Sequence, residues 1–209
     1  MSIKVKICGV NSVDSMKASD RADFVGFVFY PKSPRFINAE TAKHLASFAP
    51  KKQKKVGLFV NTEINVIEFI AEYVDLDYIQ LHGEENEKEI NLIKEKTNKP
   101  IIKSVKIASK KDLENVLKFE PICDMILFDA LPVLKELPGG NGQAFDWNIL
   151  KNYQSKKKWM LAGGINKYNV FKAINISRAP IIDLSSSLEL KKGVKCEKKI
   201  REFLDILKK

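Results

Sequence analysis

Eight short runs rich in β-branched and aromatic residues recur along the chain, roughly 20 to 30 residues apart. They are Ile3–Cys8, Phe24–Phe29, Lys55–Val60, Tyr78–Leu81, Ile101–Val105, Met125–Asp129, Trp159–Ala162 and Ile181–Leu184. Between them, apolar residues at helical spacing predict helices over Ala39–Phe48, Glu63–Tyr73, Glu87–Lys96, Lys110–Lys118, Asn166–Ile174 and Glu197–Leu207, with shorter ones over Val13–Ser19 and Phe145–Asn152. Alternating strands and helices imply an α/β protein with a parallel sheet. Eight such units in 209 residues fit a closed (β/α)8 barrel better than an open doubly wound sheet, although periodicity alone leaves the open sheet standing. No Pro/Gly/Ser-rich linker divides the chain, so residues 1–209 are expected to form a single (β/α)8 barrel domain.

Composition narrows the class. Hydrophobic residues at 44% and charged residues at 30% exclude a disordered chain. No apolar run reaches the roughly 18 residues needed to span a bilayer, and the start MSIKVKICGV lacks the features of a signal peptide, so no membrane partner and a cytoplasmic location are expected. Cys8, Cys123 and Cys196 form no CxxC pair and are expected as reduced thiols; with only two histidines, in different contexts, no metal site is expected. The net charge of +10 invites a nucleic-acid reading, but the chain has only four arginines, Arg21, Arg35, Arg178 and Arg201. Moreover, the lysine runs Lys51–Lys55 and Lys156–Lys158 stand just before strands, the end of a parallel barrel opposite its active site. No nucleic-acid partner is expected.

In a parallel barrel the reactive groups stand at the C-terminal ends of strands. The first strand ends in Lys6-Ile7-Cys8-Gly9, and alternation puts Lys6 and Cys8 on one face with Val5 and Ile7 on the other. A neighbouring ammonium would favour the thiolate and lower the thiol pKa, as a general base requires; a small buried hydrophobe is the plainer reading of Cys8. The sixth strand is apolar until Asp129. Burying an ionised carboxylate is costly, and a carboxylic acid there suits proton donation, although a turn-capping Asp reads equally well. Asp183 closes the eighth strand in the same way, followed by Ser185-Ser186-Ser187, and His82 stands at the end of the fourth. Gly163-Gly164 after the seventh strand and Ser185-Ser186 after the eighth occupy the two loops where barrels hold phosphate, with a pair of tight turns as the alternative. Arg35, after the second strand, is suited to a bidentate clamp on a carboxylate, or is an exposed arginine.

Taken in order, these segments resemble the phosphoribosylanthranilate isomerase family. The likeness runs from Lys6–Gly9 through Gly26–Arg35, Val56–Asn61, Gln80–Gly83, Leu127–Ala130, Gly139–Gly142 with Phe145–Trp147, Leu161–Ile165 and Asp183–Ser186 to Gly193–Lys195, nearly the whole chain. The resemblance implies a TIM barrel that performs an Amadori rearrangement in tryptophan biosynthesis on a phosphorylated small-molecule substrate, with no redox or electron-sink cofactor. It implies Asp129 as general acid and Cys8 as general base. It implies Arg35 on the substrate carboxylate, Gly163, Gly164, Ser185 and Ser186 on phosphate, Gly140 and Gly142 in a loop over the site, and supporting roles for His82 and Asp183. Monomer and homodimer both stay open. The family usually has glycine at Ser187, so a positive φ there would be hard to keep, and an acidic helix cap at Cys196. Another phosphate-binding barrel enzyme, or a barrel that has lost activity and binds RNA, are the competing readings.

Overall fold

The computed structural model describes residues 3–130, 145–155 and 157–207. Eight parallel strands close into a barrel in sequence order: β1 (Lys4–Cys8), β2 (Phe24–Val28), β3 (Lys54–Phe59), β4 (Tyr78–Leu81), β5 (Ile101–Ile107), β6 (Met125–Ala130), β7 (Trp159–Leu161) and β8 (Ile181–Leu184), with β8 paired back to β1. Helices α1 (Val13–Ala18), α2 (Ala39–Ala46), α3 (Ile64–Tyr73), α4 (Glu87–Thr97), α5 (Leu113–Phe119), α6 (Val170–Ser177) and α7 (Glu197–Leu207) lie along the connections. This is the expected (β/α)8 barrel.

Strand alternation sorts the side chains into two populations. Val5, Ile7, Val25, Phe27, Ile79, Leu81, Ile126 and Phe128 join the helices in one continuous outer core. Phe24, Val56, Ile102, Met125, Leu127, Met160, Ala162 and Ile181 form a separate buried cluster that fills the barrel. The register pairs Lys6 with Asp183 and Cys8 with Gly26, so the polar strand ends stand above that apolar plug.

Several boundaries differ from the sequence expectation. The helix expected from Asn166 begins only at Val170, because Asn166 and Asn169 turn their side chains onto the backbone: Asn166 N–H donates to Asn169 Oδ1 at 2.8 Å and Tyr168 N–H to Asn166 Oδ1 at 2.9 Å. The helix expected over Phe145–Asn152 is a single 3₁₀ turn, Trp147–Leu150, entered from Asp146 as its cap. A 3₁₀ turn, Lys110–Asp112, also opens the segment leading into α5. After β8 a 3₁₀ turn, Ser186–Leu188, runs into an antiparallel hairpin of β9 (Glu189–Lys191) and β10 (Val194–Lys195), which the strand pattern did not predict. Among the described residues no helix is long and apolar enough to cross a membrane.

Candidate active site

Lys6 and Cys8 point into the same space above the plug. A side chain added at Gly26 on the adjacent strand would come within 3.1 Å of Cys8 Sγ and 3.4 Å of Lys6 Nζ, so glycine at 26 leaves them room. Lys6 Nζ donates to Asp183 Oδ1 at 3.0 Å, fully buried. Burial opposes that ammonium, but Asp183 and then Cys8 overcome it and hold Lys6 above its ordinary range. The thiol departs from the expectation. Burial is the strongest influence on Cys8 and pushes it up; Lys6 pulls it down, Asp183 pushes it up again, and the weaker pulls of Lys195 and Arg35 do not reverse the outcome. The lowered pKa anticipated from Lys6 is therefore corrected: Asp183 opposes the ammonium's pull, and desolvation wins.

Asp129 ends β6. Its Oδ1 accepts the Ala130 N–H at 2.9 Å, and its Oδ2 lies 3.3 Å from His82 Nε2. Gln80 Nε2 lies 2.9 Å from His82 Nδ1, and Ser104 Oγ lies 3.4 Å from His82 Nε2. With the amide in this orientation Nδ1 accepts, and the ring proton on Nε2 faces Asp129. Gly163, at φ +84°, closes on the same carboxylate: a side chain there would meet Ala130 N at 2.8 Å and Asp129 Oδ1 at 3.2 Å. Glycine is needed at 163 for both its dihedral and its closeness.

The two loops expected to hold phosphate have geometry suited to an anion. Gly164 also has positive φ, at +63°, and a cavity of about 610 Å³ is lined by Gly164, Asn166, Lys167, Ser186, Ser187 and Lys199 among others. Ser185 is more occupied than expected. Its hydroxyl donates to the Cys8 carbonyl at 3.1 Å, and both its hydroxyl and its carbonyl accept from Lys195 Nζ. Ser187 does not take a positive φ, so the strain expected of a serine there is absent; its buried hydroxyl has no partner among the described residues.

Arg35 is buried rather than exposed, and its bidentate fork already holds a protein carboxylate. Its Nε donates to Glu189 Oε1 at 2.6 Å and its Nη2 to Glu189 Oε2 at 3.0 Å. Cys8, Val28, Leu58 and Val60 form a buried apolar wall, with Tyr30 packed against it. Gly140 and Gly142 lie outside the described residues. The sequence reading did not single out Val28, Leu58, Val60 and Ser104, though the alternation that selected Cys8 would have found them: Val28 stands two residues beyond Gly26, and Ser104 two beyond Ile102. Glu189 and Lys195 carry no comparable signal, since their approach to Arg35 depends on the hairpin.

The family described as N-(5'phosphoribosyl)anthranilate (PRA) isomerase matches residues 5–206. An N-(5'-phosphoribosyl)anthranilate isomerase of Paracoccus denitrificans is 42% identical over 207 residues, covering 98% of this chain and 96% of the relative. One of Rhizobium rhizogenes is 41% identical over 208 residues, covering 98% and 94%. Among solved structures, phosphoribosyl anthranilate isomerase from Thermotoga maritima superposes with a TM-score of 0.88 at 35% identity, covering 99% of this chain and 98% of that one. A phosphoribosyl anthranilate isomerase in complex with reduced 1-(o-carboxyphenylamino)-1-deoxyribulose 5-phosphate superposes at 0.85 with 34% identity, covering 99% and 98%. With residues 5–206 matched by the family and relatives of this identity aligned over nearly their full length, the chain belongs to the N-(5'-phosphoribosyl)anthranilate isomerase family.

Proposed function

We propose that this protein isomerises N-(5-phosphoribosyl)anthranilate to 1-(2-carboxyphenylamino)-1-deoxyribulose 5-phosphate, with Asp129 as general acid and Cys8 as general base. The observation that carries the reading is the convergence of a buried thiol on β1 and a buried carboxylate on β6 above one apolar plug, beside loops suited to phosphate. In the first step Asp129 gives a proton to the ring oxygen while the bond from that oxygen to carbon 1 breaks and the nitrogen lone pair forms a protonated imine. In the second, the Cys8 thiolate takes the proton from carbon 2, the electron pair left behind forms the carbon 1–carbon 2 double bond of an enol, and the imine π pair returns to nitrogen. Protonation at carbon 1, with release of the proton on the carbon 2 hydroxyl, then gives the ketone. Carbon 2 is oxidised as carbon 1 is reduced, so the rearrangement balances within the substrate and calls for no external oxidant or reductant.

Each remaining group has work in this scheme. Asp129 Oδ1 takes the Ala130 amide, which leaves Oδ2, on the His82 side, to carry the transferred proton. His82 and Asp183 act in support, orienting Asp129 and the Lys6 ammonium. Arg35 sits in a cluster of two cations, Arg35 and Lys195, and one anion, Glu189, whose net positive charge favours the substrate carboxylate. Gly163, Gly164, Ser185 and Ser186 hold phosphate, and the apolar wall of Val28, Leu58 and Val60 takes the aromatic ring. In this proposal residues 1–209 act as one barrel domain in the cytoplasm, as a monomer or homodimer.

Two substitutions test it. Asp129→Asn should keep affinity for the reduced product analogue, since the amide is nearly isosteric, while turnover falls about 10²–10⁴-fold. Cys8→Ala should lose turnover by a similar factor and still bind the analogue. Near wild-type turnover of either variant, followed through the fluorescence of freshly made phosphoribosylanthranilate, removes that residue from the chemistry.

A further inference from the structure

Glu189 is a buried carboxylate that the reaction scheme leaves without a chemical step, yet it accepts four hydrogen bonds among the described residues. Arg35 Nε and Nη2 reach it at 2.6 and 3.0 Å, Lys195 Nζ at 2.8 Å and the Gly193 N–H at 3.0 Å. Burial pushes this carboxyl up, but Arg35 and Lys195 overcome it and hold it below the usual carboxylate range, so the group is an anion at neutral pH. The hairpin that carries it is fastened to two other active-site loops. Asn11 Nδ2, after β1, donates to the Gly193 carbonyl at 2.8 Å. Gly193, at φ +86°, lies so close to the Pro34 carbonyl that any side chain would collide with it, and Pro34 immediately precedes Arg35. The aliphatic part of Arg35 is fixed as well, lying where a side chain on Gly9 would come within 2.7 Å of its Cδ.

We propose that Glu189 is a positioning residue: presented by the β9–β10 hairpin, it sets the plane and direction of the Arg35 guanidinium before substrate arrives. The proposal rests on the reading of Arg35 as the group that recognises the substrate carboxylate. A planar guanidinium gripped by one carboxylate through its Nε–H and an Nη2–H cannot rotate about its terminal bonds, so its charge is aimed in advance. Lys195 completes the support from the other side, because the same ammonium that binds Glu189 also holds Ser185 at 3.0 Å through its carbonyl. Without the carboxylate, the Arg35 guanidinium loses the acceptor that fixes its plane and can turn. A displacement of about 1 Å at a positioning group is enough to cost on the order of 10²-fold.

The test is a ratio, because a general weakening of the fold would lower affinity for every ligand alike. Calorimetric titration gives the affinities for reduced 1-(o-carboxyphenylamino)-1-deoxyribulose 5-phosphate and for the same compound lacking the carboxyl group. The wild-type protein should prefer the carboxylated ligand, and Arg35→Ala should erase the preference. Glu189→Gln should cut that preference about tenfold or more, with Glu189→Asp, shorter by one methylene, falling between the two. If Arg35→Ala keeps the preference, the reading of Arg35 fails and takes the proposal with it. If Arg35→Ala erases it but Glu189→Gln leaves it at the wild-type ratio, the reading of Arg35 stands and the role of Glu189 is overturned. Should Glu189→Gln fail to fold, Glu189→Asp decides alone: an unchanged ratio sinks the proposal, and a reduced one supports it.

Discussion

Lys6 and Lys103 are both buried lysines bound to a buried carboxylate, yet they stand on opposite faces of the barrel wall. Lys6 points inward, beside Cys8, and its partner Asp183 takes a hydrogen bond from it alone among the described residues. Lys103 points outward, with its Nζ 5.5 Å from the centre of the Phe119 ring on α5. Its pair is closed on itself. Lys103 also donates to the Gly83 carbonyl at 2.7 Å, while Glu85 also accepts the Asn61 and Gly83 N–H groups at 2.9 and 3.1 Å. The outer pair ties the loops after β3 and β4 to β5 with its polar capacity used up on backbone. Burial and pairing alone therefore do not mark a reactive site; the face of the strand, and what is left for a substrate, do.

Breaking each pair in turn should separate the two roles. Lys6→Met and Lys103→Met each strand a buried carboxylate, and each should lower unfolding free energy by about 3–5 kcal/mol in denaturant titration. They should then part. Per folded molecule, Lys103→Met should keep kcat/KM within about threefold, whereas Lys6→Met, which removes the cation nearest Cys8, should lose about 10- to 10³-fold. Equal activities in the two variants would mean that the inner pair is only structural.

The pH dependence sharpens the comparison further. Cys8 is pushed up by burial, with Lys6, Asp183, Lys195 and Arg35 as the charges acting on it. The proposed reactive form, thiolate with carboxylic acid, holds one proton between the two groups. Consequently kcat/KM should hold through neutral pH and fall only above the ordinary thiol value of about 8.5, where that shared proton is lost. A decline between pH 7 and 8 would contradict the direction of the shift. Lys103→Met, far from the thiol in function, should leave that alkaline limb in place. The smallest effect belongs to a pair at the surface. Lys54 and Asp77 meet at 2.8 Å with Lys54 half exposed, and Lys54→Met should cost less than about 1 kcal/mol in the same titration.

Much of this architecture was legible in the residues. Tyr78–Leu81 and Ile181–Leu184 were predicted to the residue, because each is a short β-branched or aromatic run bounded by polar turns, and the helix Glu197–Leu207 followed from its apolar spacing. Alternation also put Lys6 and Cys8 on one face. The helix at Asn166 and the 3₁₀ turn at Trp147 were misjudged where Asn and Asp side chains bind nearby backbone, a competition that hydrophobic period does not register.

The sequence by itself determined what local chemistry controls: the order of strands and helices and the polar residues at strand ends. Only the tertiary structure decided what depends on groups far apart in the chain. Arg35 meets Glu189 across 154 residues and Lys6 meets Asp183 across 177, and no local pattern encodes either pairing. The Cys8 thiol moved opposite to the sequence expectation for the same reason. An ammonium two residues away is visible in the sequence, whereas the burial that outweighs it and the carboxylate that answers it exist only once the barrel has closed.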